Sequence, residues 1–161
     1  FAVRTGAAAL DVDGCVNEAV QKAVACFGAA SVRSGKMPVL FDREAASDLF
    51  GAFSGMFCAD MAQKGLSPLA GKEEQMIAAD GVTILDDPFY EKNPRAFDGE
   101  GTPSEKTTVV ENGAFRTFLH NLKTAKKAGV RTTANAGRSA AASPVDVSQY
   151  NFYIAPGKAD R

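Results

Sequence analysis

A single histidine, His120, decides how much metal or nucleophile chemistry this chain can carry. A zinc peptidase helix needs two imidazoles one turn apart and a carboxylate to activate water, and one imidazole cannot supply that set. Any serine or cysteine nucleophile would also have to be built around His120. It follows the apolar run 114–119, where a histidine at a hairpin end reads as structural or solvated. Among the acids, Asp98 and Glu100 sit two apart. On extended backbone they point to one side and can share a hard cation such as magnesium or calcium. Aspartate beside glycine also closes turns by bonding its own backbone, and that reading is preferred here. The stretch Thr132-Thr133-Ala134-Asn135-Ala136-Gly137-Arg138-Ser139 brings a glycine, which admits close backbone approach, and an arginine with a two-pronged donor for a carboxylate. A solvated loop arginine is the preferred reading of Arg138. No glycine-rich phosphate fingerprint is present, so nucleotide binding has no support.

The elements that would position these residues follow from periodicity. A helix starts near Asp13, with Val16, Val20, Ala23, Val24 and Phe27 on one face and Gly28 as its stop. Residues 31–36 are turn material, and 37–41 read as a short strand. Asp42 caps a second helix whose Ala46, Leu49, Phe50, Phe53 and Phe57 form a buried apolar stripe reaching about Met61. Gly51, Ser54 and Gly55 lie inside it, at a cost of about 1 kcal/mol per glycine, and point to close approach by another backbone or a ligand. Residues 65–71 form a loop and 82–85 a strand. Runs 107–111 and 114–119 flank Asn112-Gly113, the signature of a tight hairpin. Residues 124–128 hold one helical turn stopped by Gly129, 131–144 form a surface or site loop, and 151–155 a last strand. Helices precede strands and hairpins without β-α-β alternation. The expected fold is therefore α+β, with N-terminal helices packed on a mixed or antiparallel sheet.

Composition narrows the function classes. The 161 residues carry 18 basic and 19 acidic side chains, net −1, with 45% hydrophobic content. That length is one domain or part of one. The charge balance argues against direct nucleic-acid binding. Three cysteines, Cys15, Cys26 and Cys58, make neither a disulfide framework nor a thiolate zinc site. Cys15 and Cys26 on one helix would stand roughly 16 Å apart, too far to bridge. They read as small hydrophobes in a reducing compartment. No stretch of about 20 apolar residues appears, so no membrane span is expected.

Several segments, taken in order, resemble the TldD/PmbA family, whose members are also called modulators of DNA gyrase. They are Pro38-Val39-Leu40-Phe41, Lys64-Gly65-Leu66-Ser67-Pro68-Leu69-Ala70-Gly71-Lys72 and Val82-Thr83-Ile84-Leu85-Asp86-Asp87-Pro88. Phe97-Asp98-Gly99-Glu100-Gly101-Thr102-Pro103, Glu111-Asn112-Gly113, Thr124-Ala125, Thr133-Ala134-Asn135-Ala136-Gly137-Arg138 and Pro156-Gly157-Lys158 follow. The resemblance covers roughly residues 15–158 and implies a central-to-C-terminal portion of a longer family chain, lacking a native N-terminal domain and a C-terminal remainder. TldD-type members carry an HExxxH zinc motif on the helix after the first strand, completed by a downstream cysteine. The anchors align that motif with Phe50-Gly51-Ala52-Phe53-Ser54-Gly55. Phe50 and Gly55 then hold the histidine positions and Gly51 the general-base position. The resemblance therefore implies the PmbA/TldE-like branch: no catalytic residue or metal in this chain, zinc in a TldD-type partner, and a cytoplasmic dimer with that partner or with itself, acting on peptides or unfolded protein segments. An extended peptide adding as a strand to an exposed edge is a sequence-tolerant way to hold such a substrate. Asp98, Glu100, Asn135 and Arg138 are the candidate substrate-binding residues. Two alternatives stay open. One is a self-sufficient hydrolase using Asp98, Glu100 and a hard cation; the other is a regulatory or binding module linked to DNA gyrase.

Overall fold

The computed structural model describes residues 10–90 and 94–157; Asn93, Lys158 and most of the N-terminal ten residues of the sequence reading lie outside that range. The chain forms two compact units, 1–40 and 41–161. In the first unit, helix α1 spans Val12–Ala25. Its cap is Asp11, whose side chain accepts from Gly14 N, so the helix starts ahead of the expected Asp13. The valine face of α1 is solvent-exposed, as are Phe27 and Cys26, and the thiol of Cys26 is therefore no core hydrophobe. Residues 37–41 form no strand and are exposed.

The second unit opens with α2, Arg43–Phe53, capped by Asp42 as expected, whose side chain accepts from Ala45 N. The helix does not run on to Met61. A 3₁₀ turn, Ser54–Phe57, follows; Cys58 is extended (φ −86°, ψ 130°), and α3 restarts at Ala59–Gln63. The cause is non-local. Ser54 O, the acceptor that a continuing helix would offer to Cys58 N, instead takes a 2.6 Å bond from Gln149 Nε2, and Cys58 N turns to Gly55 O. Cys58 then pairs with Leu119 in a parallel bridge, through Leu119 N to Phe57 O and Ala59 N to Leu119 O, both 2.9 Å. The apolar stripe is consequently split. Phe57 is 4% exposed and Phe50 packs at the core margin, whereas Leu49 and Phe53 are 47% and 58% exposed. The expectation of one buried helix face fails for α2, which buries no residue fully.

The fold is α+β. Among the described residues, a four-stranded sheet has the order β3-β2-β1-β6, where β1 is Ile84–Asp86, β2 Thr107–Glu111, β3 Ala114–Phe115 and β6 Phe152–Ile154; the pairs are antiparallel. A second two-stranded ladder joins β4, Ala136–Gly137, to β5, Asp146–Val147. The hairpin between β2 and β3 turns on Asn112 (φ 46°) and Gly113 (φ 82°), as the Asn-Gly pair demands. Regular strand geometry ends at Phe115, earlier than the expected 119. The short helix α4, Leu122–Ala128, begins with Asn121 accepting from Thr124 N while the Thr124 hydroxyl accepts from Asn121 N, and it ends at Gly129 in the left-handed region (φ 70°). Phe57, Val109, Val110, Phe115, Phe118 and Leu119 form the core, with Phe57–Phe115 and Phe115–Phe118 ring contacts at 6.2 and 4.8 Å. No helix of the described chain is long and apolar enough to cross a membrane.

Two left-handed glycines separate conformational strain from steric exclusion. A Cβ at Gly113 would lie 2.5 Å from Ala78 O and 2.8 Å from Ala79 O, whereas one at Gly129 meets nothing within 4 Å. Gly129→Ala should cost about 1–2 kcal/mol from backbone conformation alone. Gly113→Ala should cost more than about 3 kcal/mol, since backbone oxygens cannot step aside. Urea midpoints of the two variants check this, and equal losses would contradict it.

Candidate functional site

Two of the residues singled out from the sequence, Asp98 and Asn135, meet at segment 132–138, whose β4 pairs with β5. The sequence reads this segment as a surface or site loop. Ala134, Asn135, Ala136 and Gly137 are buried, and Ala134 takes a left-handed conformation (φ 56°). Asn135 is 1% exposed. Its Nδ2 donates to Asp86 Oδ2 at the end of β1 and to Ser148 O (3.0 Å); its Oδ1 accepts from Thr133 Oγ1 (2.7 Å). Its backbone N donates to His120 O (3.0 Å) and its O accepts from Ser148 N (2.7 Å). Both Nδ2 protons, Oδ1 and both backbone groups of Asn135 are thus engaged. Gly137 is obligatory at the next turn of the ladder, because a Cβ there would stand 2.4 Å from Ser148 Cβ.

Asp98 is also buried, and its two oxygens serve backbone donors. Oδ1 accepts from Glu100 N and Thr102 N, each at 2.9 Å, and Oδ2 accepts from Ala136 N at 3.1 Å. Gly99 N adds a 2.8 Å bond to Ala136 O. The Asp-Gly turn inferred from sequence is present, and it also clamps β4. Glu100 does not face the same centre: its Oε2 accepts from Leu122 N at the start of α4 (2.9 Å). Arg138 is exposed. Asp98 and Asn135 are therefore brought together through Ala136, while Glu100 and Arg138 are directed elsewhere.

Asp86, not among the candidate site residues read from the sequence, has a larger role. Buried in the sheet, it accepts from Asn135 Nδ2 and from Tyr150 N (2.9 Å). Burial pushes its carboxyl above the ordinary range, and the bonds from Tyr150, Asn135 and Asn151 oppose that push. The Tyr150 hydroxyl donates to Ala136 O (2.9 Å), and Arg95 lies 4.8 Å over its ring. Burial, then Asp98, pushes that phenol up to about 12. The Cys58 thiol is likewise pushed up to about 12 by burial, then by Asp60 and Asp86, so it is protonated at neutral pH and is no nucleophile. His120 is buried, with Nδ1 3.2 Å from Thr124 Oγ1, and burial lowers its pKa below the ordinary 6.5.

The positions implied for a zinc motif carry no donor. The Phe50 ring stacks on Phe152 (5.1 Å between centroids, 10° between planes), and Phe152 touches Phe57 at 5.4 Å. Gly51 and Gly55 have no side chain, and among the described residues nothing comes within 4 Å of a Cβ built on either. The close approach expected there is not made by the described residues. The three positions do not fit a zinc ion. Among the described residues, no group of three His, Cys, Asp or Glu side chains could hold a metal.

Comparison with known proteins places this architecture. The chain is 36% identical to a protein of Thermotoga maritima described as a putative modulator of a DNA gyrase, with a TM-score of 0.86 over 94% of this chain and 34% of that one. It is 32% identical to TldE of Thermococcus kodakarensis, with a TM-score of 0.84 over 93% and 35% of the two chains. A metalloprotease of Methanothermobacter thermautotrophicus is 33% identical over 149 residues, 91% of this chain. The chain spans about a third of the length of these relatives.

Two outcomes follow from the hydrogen bonding. Asp98→Ala strands three buried or half-buried backbone donors and should cost about 3 kcal/mol in urea denaturation; an unchanged midpoint would contradict the clamp. The lone imidazole should titrate below pH 6.5 in NMR. Because its native pKa is depressed, its contribution to stability is complete above about pH 6.5 and declines as pH falls through that value toward the native pKa. A midpoint above 6.5 would reverse the sign.

The model of the PmbA/TldA metallopeptidase C-terminal domain matches residues 34–161, and the chain belongs to that family.

Proposed function

We propose that this chain is part of a non-catalytic, PmbA/TldE-like subunit of a TldD-type metallopeptidase assembly. In this reading the partner subunit holds zinc and hydrolyses peptides or unfolded protein segments in the cytoplasm, and this chain supplies scaffold and interface. The observation that carries the reading is the state of positions 50, 51 and 55. A phenyl ring packed on Phe152 and two glycines offer neither a metal ligand nor a general base. The likeness to a protein named TldE supports the same assignment. The exposed Leu49 and Phe53, one turn apart, give α2 an apolar stripe for a partner, and the space over Gly51 and over Gly55 in the following 3₁₀ turn is open among the described residues.

A self-sufficient hydrolase built on Asp98 and Glu100 has less support. Asp98 spends both oxygens on backbone donors, and Glu100 points to the start of α4. No described feature favours a gyrase-linked module over the subunit reading.

The test is co-purification of the full gene product from its own cells, followed by mass spectrometry and metal analysis. The expected result is a stable complex with an HExxxH-bearing relative, with zinc at one ion per partner chain. Recovery of this gene product alone with one zinc per chain would overturn the proposal. Within such a complex, Phe53→Asp should weaken association at least about tenfold by placing a charge in the apolar contact.

A further inference from the structure

Helix α1 is 14 residues long, and among the described residues nothing buries any of them. A helix of that length is marginal in water unless tertiary packing supports it. Its own residues do little to help: Gly14 and the β-branched Val12, Val16, Val20 and Val24 all lower helix propensity. The side chains are nevertheless sorted. The four valines recur every fourth residue and, with Ala19 and Ala23, line one face. Each valine is 55–56% exposed, and Phe27, just past the helix end, is 82% exposed. Glu18 and Lys22 form an ion pair (3.3 Å) on the opposite face. A sorted apolar face on a helix that cannot stand alone is built to be covered.

The position of α1 in the polypeptide indicates what covers it. The C-terminal domain match starts at residue 34, and the compact unit that holds α1 ends at residue 40, so α1 stands ahead of that domain. The match to the Thermotoga maritima protein takes in 94% of this chain, too much to omit the whole of α1, and only 34% of that protein. The helix is therefore shared with a much longer polypeptide. Area argues for an intramolecular contact. At about 21 Å long and about 10 Å wide, the helix offers a face of a few hundred square ångströms. A stable contact between separate chains takes roughly 800 Å² from each. A segment of the same polypeptide needs less, because covalent linkage presents it at a roughly millimolar effective concentration.

We propose that the valine face of α1 closes the core of a preceding domain: it packs against polypeptide that lies ahead of Phe1 in the full gene product. The proposal rests on the family match and stands whether or not a zinc-bearing partner exists.

The test uses the full gene product with photo-leucine, a diazirine analogue close in size to valine, in place of Val20. Irradiation followed by tryptic mass spectrometry should join that position to residues ahead of Phe1 in the same polypeptide, with no gain in mass on a denaturing gel. Crosslinks confined to residues 1–161, a crosslinked dimer, adducts to another protein, or reaction with water alone would each overturn the proposal. The unsubstituted gene product gives a second readout that no folding defect can confuse. Amide hydrogen exchange across residues 16–24 should be at least about a hundredfold slower than in an unstructured chain, and exchange at the unstructured rate would overturn the proposal as well.

Discussion

Two carboxylates sealed inside the second unit must find a hydrogen-bond donor for each oxygen, and the surrounding backbone is arranged around that demand. A buried carboxylate without partners would cost several kilocalories per mole. Asp98 answers with three backbone donors, one of them from β4. Asp86 answers with the Asn135 amide and Tyr150 N. Between them they tie the 98–102 turn, β1, β4 and the segment after β5 into one hydrogen-bonded block. The left-handed Ala134 and the side-chain-free Gly137 are consequences of how closely these segments must cross.

This block engages the residues that look chemically capable in bonds within the chain. Carboxylates, an amide, a phenol and an arginine lie within one region, yet each is engaged with backbone or with another side chain. Asp86 is pushed up by burial, as catalytic acids often are, but its acceptor sites are occupied from within the chain. The aromatic stack of Phe50 on Phe152 fills the place where the family resemblance locates the first zinc ligand. The stack anchors α2 to the sheet through one ring while the rest of the helix stays accessible.

What could be read from the sequence was mostly local. The Asn112-Gly113 hairpin, the Asp42 cap, the Gly129 stop and the strand at 151–155 depend on neighbours a few residues away, and the structure contains them. The misread elements depend on distant partners. The helix through Phe57 breaks because Gln149 takes the carbonyl of Ser54. The 131–144 segment reads as a surface or site loop because its residues are small and polar; Thr133 and Asn135 turn that polarity inward to satisfy Asp86 and the His120 backbone. Asp98 was legible as a turn former; its bond to Ala136, 38 residues on, was not. Of the four residues expected to face a substrate, two are structural clamps, one holds the start of α4 and one is exposed.

The claim at the centre of this account is that the chain has no hydrolytic machinery of its own. Incubating the purified, partner-free protein with a fluorogenic peptide library, with and without added zinc, tests it most directly. The account predicts background cleavage in both arms, insensitive to chelator. Turnover that rises with zinc, vanishes on chelation and returns when zinc is restored would contradict it.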